Sequence, residues 1–248
     1  MTDNSPVSLV TGAAKRLGAA TVRALHKRGH RVIIHYHNNE SKARTLQEEL
    51  NEERAGSAVA LGADLSELAG VRHLAEQALE QWGRIDNLIN NASVFYARPL
   101  SESTSKDWDQ IMNTNVRAPF FLAKRVLSEV RLQHGSIINL IDIHAEHPLA
   151  DHPLYCASKA ALAGLTRAWA RDLAPDVRVN GIAPGTTLWP EGENALNEAQ
   201  KHEVLETVPL HRVGSAEDIA GAITWLVCDA PYVTGQIIAI DGGRSLSV

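Results

Sequence analysis

The sequence predicts an α/β fold with a doubly wound, seven-stranded parallel sheet flanked by helices. Two patterns along the chain point to it. Short β-rich runs alternate with longer stretches whose apolar residues recur at helical spacing, the signature of strands joined by crossover helices. The strand runs are also apolar throughout rather than alternating, as strands covered on both faces are. The chain has 248 residues, no Pro/Gly/Ser-rich linker and no internal repeat, so one domain spanning 1–248 is expected.

In chain order, the first strand run is "VSLVTG" (7–12), and "RLGAATVRALHKRG" (16–29) follows as a helix. The second pair is "RVIIHYH" (31–37) and "SKARTLQEELNEE" (41–53), and the third is "SAVALGADL" (57–65) and "GVRHLAEQALEQWG" (70–83). Further strand runs are "NLINNAS" (87–93), "SIINLID" (136–142), "VRVNGIAP" (177–184) and "QIIAIDGG" (236–243), with helical spacing over 118–130, 153–173 and 216–228. Residues 185–214 are the least patterned, and a long connection in a compact domain is often a lid or binding loop.

Apolar residues make up 44% of the chain and charged residues 21%, a globular balance. The net charge of −5 with no basic block disfavours nucleic acid or an anionic membrane as partner. Cys156 and Cys228 read as reduced thiols. No run approaches the roughly 20 apolar residues of a membrane span, and "MTDNSPVSLVTG" lacks the layout of a signal peptide, so a cytoplasmic location is expected.

"VSLVTGAAKRLGAA" reads as a strand, a tight turn and a helix start. Gly12 allows the sharp turn, Gly18 lets the helix approach the sheet, and free N–H groups at the helix start favour a pyrophosphate. Arg16 stands where such turns often carry a middle glycine, so the turn is not a G-x-G-x-x-G fingerprint. The second strand ends His35, Tyr36, His37, Asn38 with no carboxylate until Glu40. An acidic residue at this tip would hold the ribose of NADH. A neutral tip beside Lys15 and Arg16 favours NADPH. "GADL" sets Asp64 at the end of the third strand to hold the adenine, and "NNAS" ends the fourth at the same edge, where open α/β sheets bind ligands.

Tyr155 and Lys159 stand four apart at a helix start and share a face. A nearby ammonium favours the phenolate, which could exchange a proton with a substrate while a nicotinamide moves hydride. Asp142 stands thirteen residues before the tyrosine, at the end of an apolar run. His144, His147 and His152 lie between them. They form no H-x-x-x-H pair on a regular element, so no metal site is expected.

With "TGAAKRLG", "ADL", "NNAS", "MNTN", "YCASK", "VNGIAPG" and "VTGQIIAIDGG" in this order, the chain resembles the short-chain dehydrogenase/reductases from end to end. The resemblance implies a Rossmann-type domain. It implies a catalytic group of Asn115, Tyr155 and Lys159, with Asp142 where the family carries serine. It also implies cofactor contacts from Leu17, Ala63, Leu65, Asn91, Ala92 and Ser93, from Pro184, Gly185, Thr186 and Thr187, and from Tyr155 and Lys159 themselves.

The serine-to-aspartate change, "TGAAKRLG", "HYH", "NNASVFY", "VPL" and "DGG-SL" are similar to the pteridine reductase subgroup. A carboxylate would repel the alkoxide of a carbonyl substrate but suits a heterocycle with basic ring nitrogens. The resemblance implies that Arg16, Ser93, Phe95, Asp142, Tyr155, Leu188 and Trp189 bind a pterin or folate and that the protein is a homotetramer, with 216–241 at one interface. Asn38 departs from the subgroup, which often carries a basic residue there. The competing readings are a carbonyl or 3-oxoacyl thioester reductase and a dinucleotide-binding regulator without turnover.

Overall fold

The computed structural model describes residues 4–189 and 197–247. Seven strands form one parallel sheet in the order β3-β2-β1-β4-β5-β6-β7. They are β1 (Val7–Val10), β2 (Arg31–Tyr36), β3 (Ala58–Gly62), β4 (Asn87–Asn90), β5 (Ser136–Leu140), β6 (Arg178–Pro184) and β7 (Ile237–Ile240). The helices are α1 (Arg16–Lys27), α2 (Glu40–Glu53), α3 (Leu68–Trp82), α4 (Ser105–Met112), α5 (Ala118–Leu132), α6 (Pro153–Leu173), α7 (Glu198–Glu206) and α8 (Ala216–Cys228). None is long and apolar enough to cross a membrane among the described residues.

Alternate strand residues feed two cores, which explains why the inner strands are apolar throughout. Val10, Val32, Ile34 and Ile138 pack with α1, α2 and α8. Val7, Leu9, Ile33 and Ile137 pack with α3 and α5 on the other face. The edge strands β3 and β7 depart from that pattern because each lacks a neighbour on one side; every β7 residue is at least partly exposed. Between the layers, Asn90 donates to Asn139 (2.8 Å) and Asn139 to Thr166 (2.9 Å), a buried chain of amides and a hydroxyl tying β4 to β5 and to α6.

Several strands are shorter than the apolar runs suggest. β3 stops before Ala63, β4 before Asn91 and β5 before Ile141, so "ADL", "NAS" and "ID" leave the sheet as loops at one edge. Two helices were not legible as apolar stripes. α4 opens on a capping box between Thr104 and Asp107, and α7 on one between Asn197 and Gln200. α7 lies within the long 185–214 connection, whose ends are bridged at Thr187 and Gly214; residues 190–196 of it lie outside the described residues.

Candidate active site

The β1–α1 turn is shaped by what cannot fit there. Gly12 has φ +61°, and an added Cβ would lie 2.9 Å from Ala92 Cα. At Gly18 it would meet the Gly12 carbonyl oxygen at 2.5 Å and Asn91 Nδ2 at 2.7 Å. Asn91 uses that amide to hold the carbonyls of Thr11 and Gly12. Arg16 takes φ +53°, the left-handed region that glycine enters at least cost. Its guanidinium reaches the carbonyls of Leu188 and Trp189 at 3.4 Å, so it ties the start of the long connection to the turn.

His35 locks this turn from below. Gly12 N–H donates to Nδ1 (3.0 Å), which leaves Nε2–H to donate to the Ala63 carbonyl (3.0 Å). The ring is 2% exposed, and burial lowers its pKa from 6.5 to about 4. His35 thus fixes the backbone of three strand ends. Ala63, expected as a cofactor contact, spends its N–H on Tyr36 O and its carbonyl on His35.

A cleft of about 790 Å³ opens above the turn. Gly12, Lys15, Arg16, Leu17 and Gly18 form one wall, and His35, Tyr36 and His37 line it at the end of β2. Asp64 and Leu65 line it from the loop after β3, and Asn91, Ala92 and Ser93 from the loop after β4. Asn38 and Ala63 are not among its lining residues, nor are residues 184–187, which lie further along the same edge after β6. His37 Nε2 is 3.8 Å from Asp64 Oδ2. The cleft fits a dinucleotide: its glycines leave room for backbone approach, and the first turn of α1 carries no acidic residue to repel phosphate.

Asp142 leaves β5 in extended conformation and caps a short 3-10 turn, Ile143–Ala145, its Oδ1 accepting from His144 N (2.9 Å). Its Oδ2 accepts from the Tyr155 hydroxyl at 2.7 Å. Burial and then the Asp142 charge push the Tyr155 pKa well above 10. Lys159 alone would favour a phenolate; burial and Asp142 act the other way and favour the protonated hydroxyl. Lys159 Nζ donates to Leu140 O (2.8 Å) and lies 5.6 Å from the Tyr155 ring centroid. Burial lowers its pKa to about 8, and Asp142 opposes the fall.

Asn115 sits in a π-helical turn, Asn113–Arg117, between α4 and α5. Its amide is fully engaged: Oδ1 accepts from Val94 N (2.8 Å) and Ser93 Oγ (3.2 Å), while Nδ2 donates to Val94 O (3.0 Å) and Ser158 Oγ (3.0 Å). Ser158 in turn donates to Tyr155 O (2.7 Å). At 1% exposure the Asn115 side chain ties the loop after β4 to α6, beside the expected catalytic tyrosine.

Phe95 is 45% exposed, so it is not a core residue. His152 stacks on it (centroids 4.7 Å, 14° between planes), and Tyr155 meets it edge-on at 4.7 Å. Trp189 packs beside Lys201 of its own connection, 5.9 Å from ring centroid to Nζ. The sequence did not single out Ser158 or Arg244, and it weighed His152 only as a metal ligand. The described residues hold no metal-ligating cluster.

A family profile described as Enoyl-(Acyl carrier protein) reductase matches residues 12–245. The chain belongs to the short-chain dehydrogenase/reductase family. It is 36% identical to pteridine reductase 1 of Leishmania tarentolae, across 98% of this chain and 97% of that one. It is 33% identical to the 3-oxoacyl-[acyl-carrier-protein] reductase FabG of Staphylococcus epidermidis, across 95% and 97%. Among solved structures, a blue fluorescent protein from a metagenomic library in complex with NADPH superposes with a TM-score of 0.90 at 36% identity, covering 98% of this chain and 99% of that one. The chain is an oxidoreductase of this family.

Proposed function

We propose that the chain is an NADPH-dependent pteridine reductase that reduces 7,8-dihydropterins, with dihydrofolate as a further substrate. The observation that carries this reading is the 2.7 Å bond from the Tyr155 hydroxyl to Asp142. A carboxylate at that position disfavours a developing alkoxide and suits a ring nitrogen. The half-exposed ring of Phe95 beside the pair supports a flat heterocycle as the reactant.

NADPH, when bound, supplies the hydride. Gly12, Gly18 and the first turn of α1 would hold its pyrophosphate, and Lys15, Arg16 and His37 its 2′-phosphate. The electron pair of the C6=N5 bond moves to N5 as hydride reaches C6, and N5 takes a proton from the Asp142–Tyr155 pair. For a fully oxidised ring the same pair serves N8, with hydride at C7. Lys159, the buried cation beside the pair, offsets the charge left behind. Proton transfer of this kind contributes about 10²–10⁴-fold.

The relative named as an oxoacyl reductase keeps a second reading open, a 3-oxoacyl thioester reductase. The test follows NADPH oxidation with dihydrobiopterin and with acetoacetyl thioesters, for the parent and for Asp142→Ser. The pteridine reading expects dihydropterin turnover that the substitution cuts at least about 100-fold while NADPH affinity holds. Parent-rate reduction of dihydropterin by the variant, or turnover of the thioester alone, refutes it. The same reading carries a homotetramer in the cytoplasm. The half-exposed Trp225 on α8 and the open edge of β7 support an interface there, which sedimentation of the full chain tests.

A further inference from the structure

His152 stands three residues before Tyr155, and its ring is built into the site although no proton step calls on it. It is the N-cap of α6: its carbonyl accepts from Cys156 N (3.0 Å), and Pro153 opens the helix behind it. The preceding residue, Asp151, takes φ +60°, and its carbonyl accepts from Arg98 N at 2.7 Å. Arg98 belongs to the same loop as Phe95, so this bond ties the segment before α6 to the loop after β4. The half-buried imidazole donates through Nδ1 to Ala150 O (2.6 Å), which fixes the orientation of its ring. Phe95 therefore meets two rings. His152 covers one of its faces, with centroids 4.7 Å apart and 14° between planes, and Tyr155 meets it edge-on at 4.7 Å and 79°. Phe95 is still 45% exposed, so the stack leaves room for a further flat ring against it. Tyr155 in turn holds Asp142 at 2.7 Å, which places this aromatic group beside the proton-handling pair.

We propose that His152 is a positioning residue for the substrate's ring: it backs Phe95 and holds its plane, so that a flat heterocycle stacks on the surface left open. This rests on the pteridine reading. A half-exposed phenyl ring on a loop has few contacts to choose among its rotamers. The edge contact with Tyr155 leaves the tilt of Phe95 free, and a near-parallel partner on one face removes that freedom. Offset stacking at this separation is a favoured geometry for aromatic pairs. A wall already held in place loses less freedom when the ligand arrives, so the pair contributes to affinity through preorganisation. The role belongs to the flat ring and not to its nitrogens. A phenyl group at this position serves as well, whereas a donor to Ala150 O without a ring does not.

Titration calorimetry with 6-methylpterin, on the full chain loaded with NADP⁺, compares the parent with three variants. His152→Ala removes the ring, His152→Asn keeps a donor for Ala150 O without the ring, and His152→Phe keeps a ring without the donor. The alanine and asparagine variants are expected to bind the pterin about three- to tenfold more weakly, and the phenylalanine variant within about twofold of the parent. NADPH affinity, titrated separately, is expected to hold in all three. Parent-like pterin binding by His152→Ala overturns the inference. So does tighter binding, which would mean that the imidazole occupies the ligand's own place. Recovery by asparagine but not by phenylalanine would assign the effect to the hydrogen bond, and an equal fall in NADPH affinity would assign it to general damage; either overturns it as well. If the alanine variant does not fold, equal pterin affinities in the asparagine and phenylalanine variants overturn it. Dihydropterin turnover by the parent tests the reading beneath. A parent that neither turns over nor binds a pterin sinks both, whereas parent turnover with unchanged binding in every variant sinks the inference alone.

Discussion

Acidifying the protein should open the nucleotide turn through a single imidazole. His35 accepts from Gly12 N–H only while Nδ1 is unprotonated. Its pKa is about 4 in the folded chain against 6.5 ordinarily. The unfolded chain therefore takes up this proton first as pH falls. The stabilisation is fully present above pH 6.5 and is lost between 6.5 and 4. The difference is worth roughly 3 kcal/mol, about 2 of it gone by pH 5. His30, hydrogen-bonded to Ser8 and also lowered to about 4 by burial, adds loss of the same sign, so the parent's slope alone does not isolate His35. His35→Gln does isolate it. Glutamine does not titrate, and it should be less stable at pH 7 by about 1–3 kcal/mol because Gly12 N–H loses its acceptor. Urea unfolding of both proteins from pH 7 to pH 5 should give the variant a shallower dependence by about 2 kcal/mol. Parallel pH dependences would refute the reasoning. So would an NMR titration of the parent in which the His35 ring protonates near its ordinary value.

Tyr155→Phe should cut turnover by about 10²–10⁴-fold and leave NADPH affinity nearly unchanged; lost cofactor binding, measured by fluorescence, would contradict its role. Gly18→Ala drives a methyl against the Gly12 carbonyl and the Asn91 amide; it should destabilise the fold by about 1–3 kcal/mol and weaken NADPH at least tenfold, and a variant that bound normally would remove the close-packing argument. The rate of dihydropterin reduction should fall above pH 8 as Lys159 loses its proton, and Asp142→Asn should move that limb to lower pH because Asp142 holds the lysine up against burial; a limb that stays in place would deny the coupling.

Much of this architecture was legible because burial on two faces leaves a plain mark. "RVIIHY" and "SIINL" are apolar whichever way each residue points, and the turn after "VSLV" shows in its glycines. Asp142 and Tyr155 were legible as residue types at the ends of patterned elements. Their mutual bond was not, since it joins a loop after β5 to a helix thirteen residues on. α7 buries no residue and α4, one short helix, buries only Ile111, yet Thr104 with Asp107 and Asn197 with Gln200 carried a readable cap signal. His35 read as a cofactor contact and lines the cleft; that its ring also ties Gly12 to Ala63 depends on which way a strand-end ring faces, which the sequence does not reveal.

The saturated amide of Asn115 has a consequence for how such a protein can diversify. Its four bonds clamp segments from three parts of the chain and ask nothing of the ligand. Phe95 and His152 can then be exchanged in laboratory evolution while the clamp keeps the proton-handling groups in register, so new ring systems could be recruited without rebuilding the chemistry.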